Sequence, residues 1–461
     1  MEQNSAIILA AGAGKRMKSS KPKVLCEVLL KPMLGWVLTS CEQAGIPHVC
    51  VVTGHEREQV EAYLDGKYET AVQQEQKGTG HAVLCAETFL KQHLDGDVVV
   101  LCGDAPFMDG QTIQRAHEYH QQQRNAVTVI SANLEQPFGY GRIIRDNGQV
   151  TGIVEQKDAT EEQKQITEVN SGTYWFKAAD LLQVLTEIKP NNAQGEYYLT
   201  DAVELLLQQG KKAGAYQAED ANVILGANDR KTLYRLNTIA REKILEQHME
   251  NGVEFVCTDG VVIGPDVVIG METQILPGTI LKGKTTIGTQ CVIGPNSLVK
   301  DTTVGDRCVL NATQAYDSII HEDVTIGPFV QIRPNCEIHH KAHIGDFVEV
   351  KNSTIGAGTA VAHLTYVGDS DVGSNVNFGC GVVTVNYDGV NKHRTTIEDD
   401  AFIGCNTNLV APVRVGKGAY TAAGSTITKD VPDGALGIER AQQTIKEGFA
   451  TRKLKGRKKK A

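Results

Sequence analysis

The sequence predicts two domains of different class: an α/β domain with a mostly parallel sheet over 1–228 and a parallel β-helix over 252–461, joined by a helix over 229–251. Three observations predict this. Short apolar runs alternate with amphipathic stretches in the first half, as in sheets covered on both faces. A polar segment then carries apolar residues at helical spacing. Beyond Gly252 aliphatic residues recur every six positions, a period that is neither helical nor simple strand alternation.

In chain order, the apolar runs 6–10, 49–53, 98–102 and 127–131 read as buried strands, and 35–44, 57–64 and 80–90 as the helices between them. Ligands of such sheets sit beyond the carboxyl ends of the strands. In the joining helix Leu233, Leu236, Ile239, Ala240 and Ile244 form one apolar face, and Gly252 supplies a stop. The hexads follow at Ile263, Ile269, Ile275, Leu281, Ile287 and Ile293, at Ile326, Ile332, Ile338, Ile344 and Val350, and at Ile397, Ile403, Leu409 and Val415. Each places one aliphatic inward per face, with glycine often following at the corner. The period slips near 316–323 and 386–395, where loops are expected to leave the coil.

The net charge of −9 disfavours nucleic-acid binding, and no apolar stretch is long enough to cross a membrane. The opening apolar run is too short for a secretion signal. Eleven cysteines without a Cys-x-x-Cys pair argue against a disulfide framework or a cysteine zinc site, and a reducing cytoplasm is expected. The basic run Arg452–Lys460 is expected to be a solvated, disordered tail.

After the first strand comes Leu9-Ala10-Ala11-Gly12-Ala13-Gly14-Lys15-Arg16-Met17, then Pro22-Lys23. The glycines let backbone approach a phosphate, and the cations supply charge. The spacing is neither Gly-x-Gly-x-x-Gly nor a P-loop. This stretch resembles the signature of sugar-1-phosphate nucleotidyltransferases. Gln73–Ala82, Gly103-Asp104-Ala105-Pro106, Gly139–Ile143, Ile153-Val154-Glu155, Asn170-Ser171-Gly172, Gly195–Asp201 and Asn228 extend the resemblance to the bifunctional bacterial N-acetylglucosamine-1-phosphate uridyltransferase/glucosamine-1-phosphate acetyltransferase family, across essentially the whole chain.

The resemblance implies a Rossmann-like nucleotidyltransferase domain followed by a left-handed β-helix. It implies that Leu9, Ala10, Ala11, Gly12, Gln73, Gly78 and Thr79 hold UTP, with Arg16 and Lys23 on its phosphates. Asp104 and Asn228 would hold Mg²⁺, and Gly141, Glu155, Asn170, Tyr198 and Thr200 the N-acetylated sugar. The sugar phosphate is itself a nucleophile, so the protein needs to supply position and charge rather than a nucleophile of its own.

In the β-helix, Arg333, Lys351, His363-Leu364-Thr365-Tyr366, Asn377 and Asn386-Tyr387-Asp388-Gly389 match the acetyltransferase half of the family. The resemblance makes His363 the proton acceptor for the attacking amine, a task suited to a group titrating near neutrality. It places Arg333, Lys351, Tyr366 and Asn377 on the amino-sugar phosphate, and Asn386 within hydrogen-bonding reach of the sugar. Cys380, Asn386, Tyr387, Cys405, Ala423 and Arg440 would contact acetyl-CoA. Glu349 is expected to orient His363. Cys380 and Cys405 stand where the family more often has alanine and serine, which makes Cys405 an expected alkylation-sensitive position. The resemblance further implies a homotrimer of parallel β-helices with acetyl-transfer sites shared between neighbours. The rival readings are a single-activity nucleotidyltransferase with an oligomerising β-helix and a non-catalytic scaffold; His363 with Asn386 and Tyr387 argues against the first, and Arg16, Lys23, Asp104 and Asn228 against the second.

Overall fold

The computed structural model describes residues 4–457, which form two compact units dividing between Glu242 and Lys243. In the first, the strands run in the order Ala213–Gln217, Val127–Asn133, Glu168–Lys177, Asp97–Cys102, Ser5–Leu9, His48–Thr53 and Glu69–Val72. Glu168–Lys177 is antiparallel to both neighbours; the other pairings along this path are parallel. The sheet is buried on both faces: Ile7, Val98 and Val100 fill one core, and Ile8, Val99 and Leu101 the other. Two-sided burial is why these strands read as continuous apolar runs.

The helices fall at Met33–Gln43, at Arg57–Leu64, and as Thr79–Cys85 followed by Glu87–Gln92, so the stretch expected as one helix over 80–90 breaks at Ala86. The hairpin Arg142–Asp146 and Gln149–Val154 turns at Asn147-Gly148, both at positive φ. The helix Arg230–Glu250 begins where the Asp229 carboxylate accepts the Thr232 N–H at 2.8 Å and stops at Gly252, φ +82°.

The second unit is a left-handed parallel β-helix whose three faces, among the described residues, are sheets of 11, 10 and 9 strands. Every hexad aliphatic predicted to point inward is at most 7% exposed, and most are fully buried. Buried hydroxyls satisfy corner backbone: Thr273 Oγ1 donates to Gly288 O, and Thr359 Oγ1 to Gly373 O, at 2.8 and 2.7 Å.

One expected loop is absent. Over 316–323 the chain stays in the coil, with strands Thr313–Tyr316 and Ile319–Ile320 on successive faces. The ladder step shortens from 18 residues (Val262 to Ile280) to 17 (Thr286 to Thr303) and 16 (Leu298 to Gln314). A corner shortened by a residue slips the sequence period without ejecting the backbone. The other expected loop is real: over 386–395 the chain leaves the coil, closes on an antiparallel bridge between Tyr387 and Lys392, and rejoins with Asp371 paired to Thr396.

The basic run also differs from expectation, because Phe449–Arg457 is helical, opening with the Arg452 N–H on Gly448 O at 3.1 Å. Lys458–Lys460 lie outside the described residues.

Candidate functional site

In the first unit a cleft of about 440 Å³ opens at the carboxyl ends of the central strands. It is lined by Leu9, Ala11, Gly12, Arg16, Lys23, Gln73, Gly78, Thr79, Asp104 and Asn228, and also by Lys15, Gln76 and Glu196. Ala10 is placed differently: its side chain enters the core on the opposite face of the sheet, and its N–H donates to Val52 O at 2.9 Å.

Glycine is required at two points of this wall. Gly14 has φ +53°, and a Cβ there would stand 2.7 Å from Lys23 Cβ, so its absence lets the loop lie against the lysine. Gly78 has φ +110°, and its Cβ would reach 2.5 Å from Tyr197 O. The close approach joins the Gln73–Thr79 segment to 197–200, where Thr79 Oγ1 accepts the Leu199 N–H at 3.0 Å and Gly80 N–H donates to Tyr197 O. Gln73 is buried and donates from Nε2 to Gly78 O at 3.1 Å.

Lys23, Asp104 and Asn228 meet at one point. The Lys23 ammonium forms an ion pair with the Asp104 carboxylate and donates to Asn228 Oδ1 at 2.8 Å. Two oxygen ligands from separate segments thus converge on one positive charge. A carboxylate and an amide oxygen beside phosphate-sized space fit a hard divalent cation that keeps waters and takes further oxygens from its substrate.

Beyond the cleft, Asn170 N–H donates to Gly141 O at 2.9 Å, and its side chain donates to Tyr174 OH and accepts from Gly172 N–H. Gly141 lies against Glu155, so a Cβ there would come 3.2 Å from Glu155 Oε1. Burial, then the charges of Asp158 and Asp201, push the Glu155 carboxyl up. Burial likewise raises Asp201 to about 6. Tyr198 receives a hydrogen bond from Gln194, and Thr200 begins the helix Thr200–Gln208.

In the β-helix, His363 ends strand Ala360–His363, directly over Asp346 of the preceding coil. Its Nδ1 is 2.8 Å from Asp346 Oδ1. A carboxylate only accepts, so Nδ1 is the donor of this bond, and in the neutral ring Nε2 is left as the acceptor. The hydrogen bond from His363 holds the Asp346 carboxyl below its usual range. The expected partner, Glu349, is instead engaged by Arg333, whose Nη1 donates to Oε1 at 2.8 Å. Glu349 faces along the strand ladder toward Tyr366, whereas Asp346 occupies the corner beneath the histidine.

Asp369, which the sequence did not single out, is the buried hub of this region. It accepts from Lys351 Nζ at 3.2 Å, Asn352 Nδ2 at 2.6 Å and Asn386 Nδ2. Burial raises its carboxyl, but these hydrogen bonds outweigh that and leave it below the usual range. Asn386 is therefore committed to Asp369, at the root of the 386–395 loop. That loop brings Lys392 beside Lys351, and the neighbouring ammonium holds Lys392 below its ordinary value. Two mutually repelling ammonium groups near Arg333 form a place for an anion.

Cys380, Cys405 and Ala423 follow His363 up one corner of the helix. Gly381 N–H donates to His363 O, Asn406 N–H to Cys380 O, and Gly424 N–H to Cys405 O. Cys405 is exposed, and Arg440 closes the column by donating to Ala423 O at 2.9 Å. Asn377 lies one ladder step above Ala360, and Tyr387 is exposed on the departing loop. Asp346, Asp369 and Lys392 were missed because their partners lie in neighbouring coils; a step of 17 residues back from His363 would have found Asp346.

Residues 5–229 match a family described as nucleotidyl transferase. Residues 317–352 and 394–429 match bacterial transferase hexapeptide repeats, and 284–312 the hexapeptide repeat of succinyl-transferase. Proteins named bifunctional protein GlmU are similar over nearly the full length. That of Caldanaerobacter subterraneus subsp. tengcongensis is 51% identical with 99% of each chain covered. Those of a Geobacillus species and of Clostridioides difficile are 50% and 45% identical, covering 98% and 97% of each chain.

Proposed function

Because this chain belongs to the GlmU family of bifunctional enzymes, with uridyltransferase and acetyltransferase activities, we propose that it acetylates glucosamine-1-phosphate in its β-helix and uridylylates the resulting N-acetylglucosamine-1-phosphate in its α/β domain. The proposed limits of these domains are 1–228 and 252–461, with 229–251 as linker. The finer assignments are Mg²⁺ as the divalent ion, a homotrimer and a cytoplasmic location. Among the described residues no helix is long and apolar enough to cross a membrane. Phe329 and Phe347, stacked at 5.3 Å and exposed, give the β-helix an apolar edge that supports assembly with other copies.

In acetyl transfer, Arg333, Lys351 and Lys392 hold the acceptor's phosphate. His363 Nε2 takes the proton as the amine attacks the thioester carbonyl, and Asp346 keeps Nδ1 protonated and steadies the imidazolium that forms. The C–N bond forms, the C–S bond breaks, and the proton leaves with the thiol of coenzyme A. Acetyl-CoA lies along Cys380, Cys405, Ala423 and Arg440.

In uridylyl transfer, Gln73, Gly78 and the 9–12 backbone hold the nucleotide, and Arg16 and Lys23 its phosphates. Gly141, Glu155, Asn170, Tyr198 and Thr200 orient the sugar so that its phosphate oxygen attacks the α-phosphorus in line with departing pyrophosphate. Mg²⁺ on Asp104 and Asn228 would neutralise phosphate charge. Lys23, which holds Asp104 and Asn228 together, would share its charge between these ligands and the phosphates.

The observation that carries the two-activity reading is the His363–Asp346 pair, which an oligomerising β-helix has no need to build. The separating experiment uses two variants. His363→Ala should cut thiol release from acetyl-CoA by about 10²–10⁴-fold while pyrophosphate release persists, and Asp104→Asn should do the reverse. Parallel loss in both variants would mean that the assignments are wrong.

A further inference from the structure

Away from both sites, three metal-ligating side chains converge on the face of the β-helix formed by strands such as Ile319–Ile320, Glu337–Ile338 and Thr354–Ile355. They come from two successive coils. Ile319 pairs with Glu337 and Ile320 with Ile338, so the next residues, His321 and His339, stand one above the other. Their rings are stacked, 4.8 Å between centroids and 7° from parallel. Glu337, two residues before His339, projects from the same side of its strand.

Both imidazoles direct Nε2 at the same oxygen: His321 Nε2 is 2.9 Å and His339 Nε2 3.7 Å from Glu337 Oε1. All three ligand atoms lie within 4.8 Å of one another. Ligands held at about 2.0–2.1 Å in a tetrahedral site stand roughly 3.3 Å apart, so small side-chain rotations suffice to admit an ion. The space in front is open. Gly305 lies in the coil below His321 and Gly356 in the coil above His339, and neither has a side chain to cover the rings. Glu337 also borders a polar depression of about 530 Å³, whose wall carries Asp301 and Asp317.

We propose that His321, Glu337 and His339 form a binding site for a transition-metal dication of the zinc class, with remaining positions taken by water. The donor set decides the class. Two neutral imidazoles and one carboxylate suit Zn²⁺, whereas Mg²⁺ prefers the all-oxygen set offered by Asp104 and Asn228. A bound ion ties two adjacent coils together through side chains that the acetyl-transfer site does not use. The alternative role of the trio is a metal-free hydrogen-bonded staple.

The test titrates Zn²⁺ into the full chain by calorimetry, with Mg²⁺ saturating, and repeats it on the double variant His321→Asn/His339→Asn. The parent should bind one more equivalent per chain than the variant, and Glu337→Gln should weaken that equivalent at least tenfold. X-ray absorption at the zinc edge of the parent carrying one equivalent should show imidazole scattering. Equal stoichiometry and affinity in parent and double variant would overturn the proposal and leave the staple. A sulfur-only shell would overturn it too, assigning the ion to cysteine, and this readout stands even if the double variant fails to fold. Both transferase activities should be unchanged in Glu337→Gln without zinc, since the residue lies in neither site.

Discussion

His363 has Nδ1 occupied by Asp346 and Nε2 free, so the two residues should fail differently when replaced. His363→Ala removes the base, and acetyl transfer should fall about 10²–10⁴-fold. Asp346→Asn keeps the size but offers Nδ1 an amide that does not hold one tautomer. It should lower kcat by less than the histidine variant, leave the KM for acetyl-CoA near normal, and move the acidic limb of the pH–rate profile; an unmoved profile would remove Asp346 from the mechanism. Cys405 is exposed beside Gly379 in the column assigned to coenzyme A, so iodoacetamide should inhibit acetyl transfer alone, with acetyl-CoA protecting. Unchanged thiol release after complete alkylation would place the cofactor elsewhere. In the other unit, the two oxygen ligands around Lys23 predict that chelation stops pyrophosphate release and spares acetylation.

At the scale of elements, the β-helix was legible because one physical rule, an inward aliphatic on each short strand, repeats until chance cannot imitate it. What stayed hidden was anything carried between coils. A corner deletion at 316–323 looks in sequence like the start of a loop, while the real excursion at 386–395 looks much the same. Glu349 is nearer to His363 in sequence than Asp346, but the ladder decides the partner. In the α/β domain the parallel strands announced themselves by burial on both faces. The antiparallel strand Glu168–Lys177 and the 142–154 hairpin mix polar residues with apolar ones and gave no such signal. Two substitutions test the elements. Thr359→Val removes a donor to Gly373 O and the acceptor for Val376 N–H, and should cost about 1–3 kcal/mol in denaturant unfolding. Gly78→Ala forces a Cβ into Tyr197 O at a position assigned to the nucleotide, and should raise the KM for UTP while leaving acetyl transfer unchanged.

The whole molecule joins two compact units, and a partly buried carboxylate of the first should contribute to its acid sensitivity. There Asp97 is caught between His117, at 2.9 Å, and His120, at 3.6 Å. Burial raises its carboxyl, but the His117 hydrogen bond and the nearby His120 ring outweigh this and hold it well below the usual range. A depressed folded-state value adds stability above the unfolded value of about 3.9, and that stability disappears as pH falls through the folded value. The gap in melting temperature between the parent and Asp97→Asn should therefore be full at pH 6 and shrink below about pH 4. A gap independent of pH would mean that the carboxylate is not what the histidines stabilise.

One chain should carry both reactions in sequence. One purified sample is given glucosamine-1-phosphate, acetyl-CoA, UTP and Mg²⁺, and thiol and pyrophosphate are followed together. Thiol should appear first, with pyrophosphate following after a lag and UDP-N-acetylglucosamine accumulating. Pyrophosphate release only when N-acetylglucosamine-1-phosphate is supplied, with no thiol from acetyl-CoA, would mean that the chain has one activity and would reduce the β-helix to a scaffold.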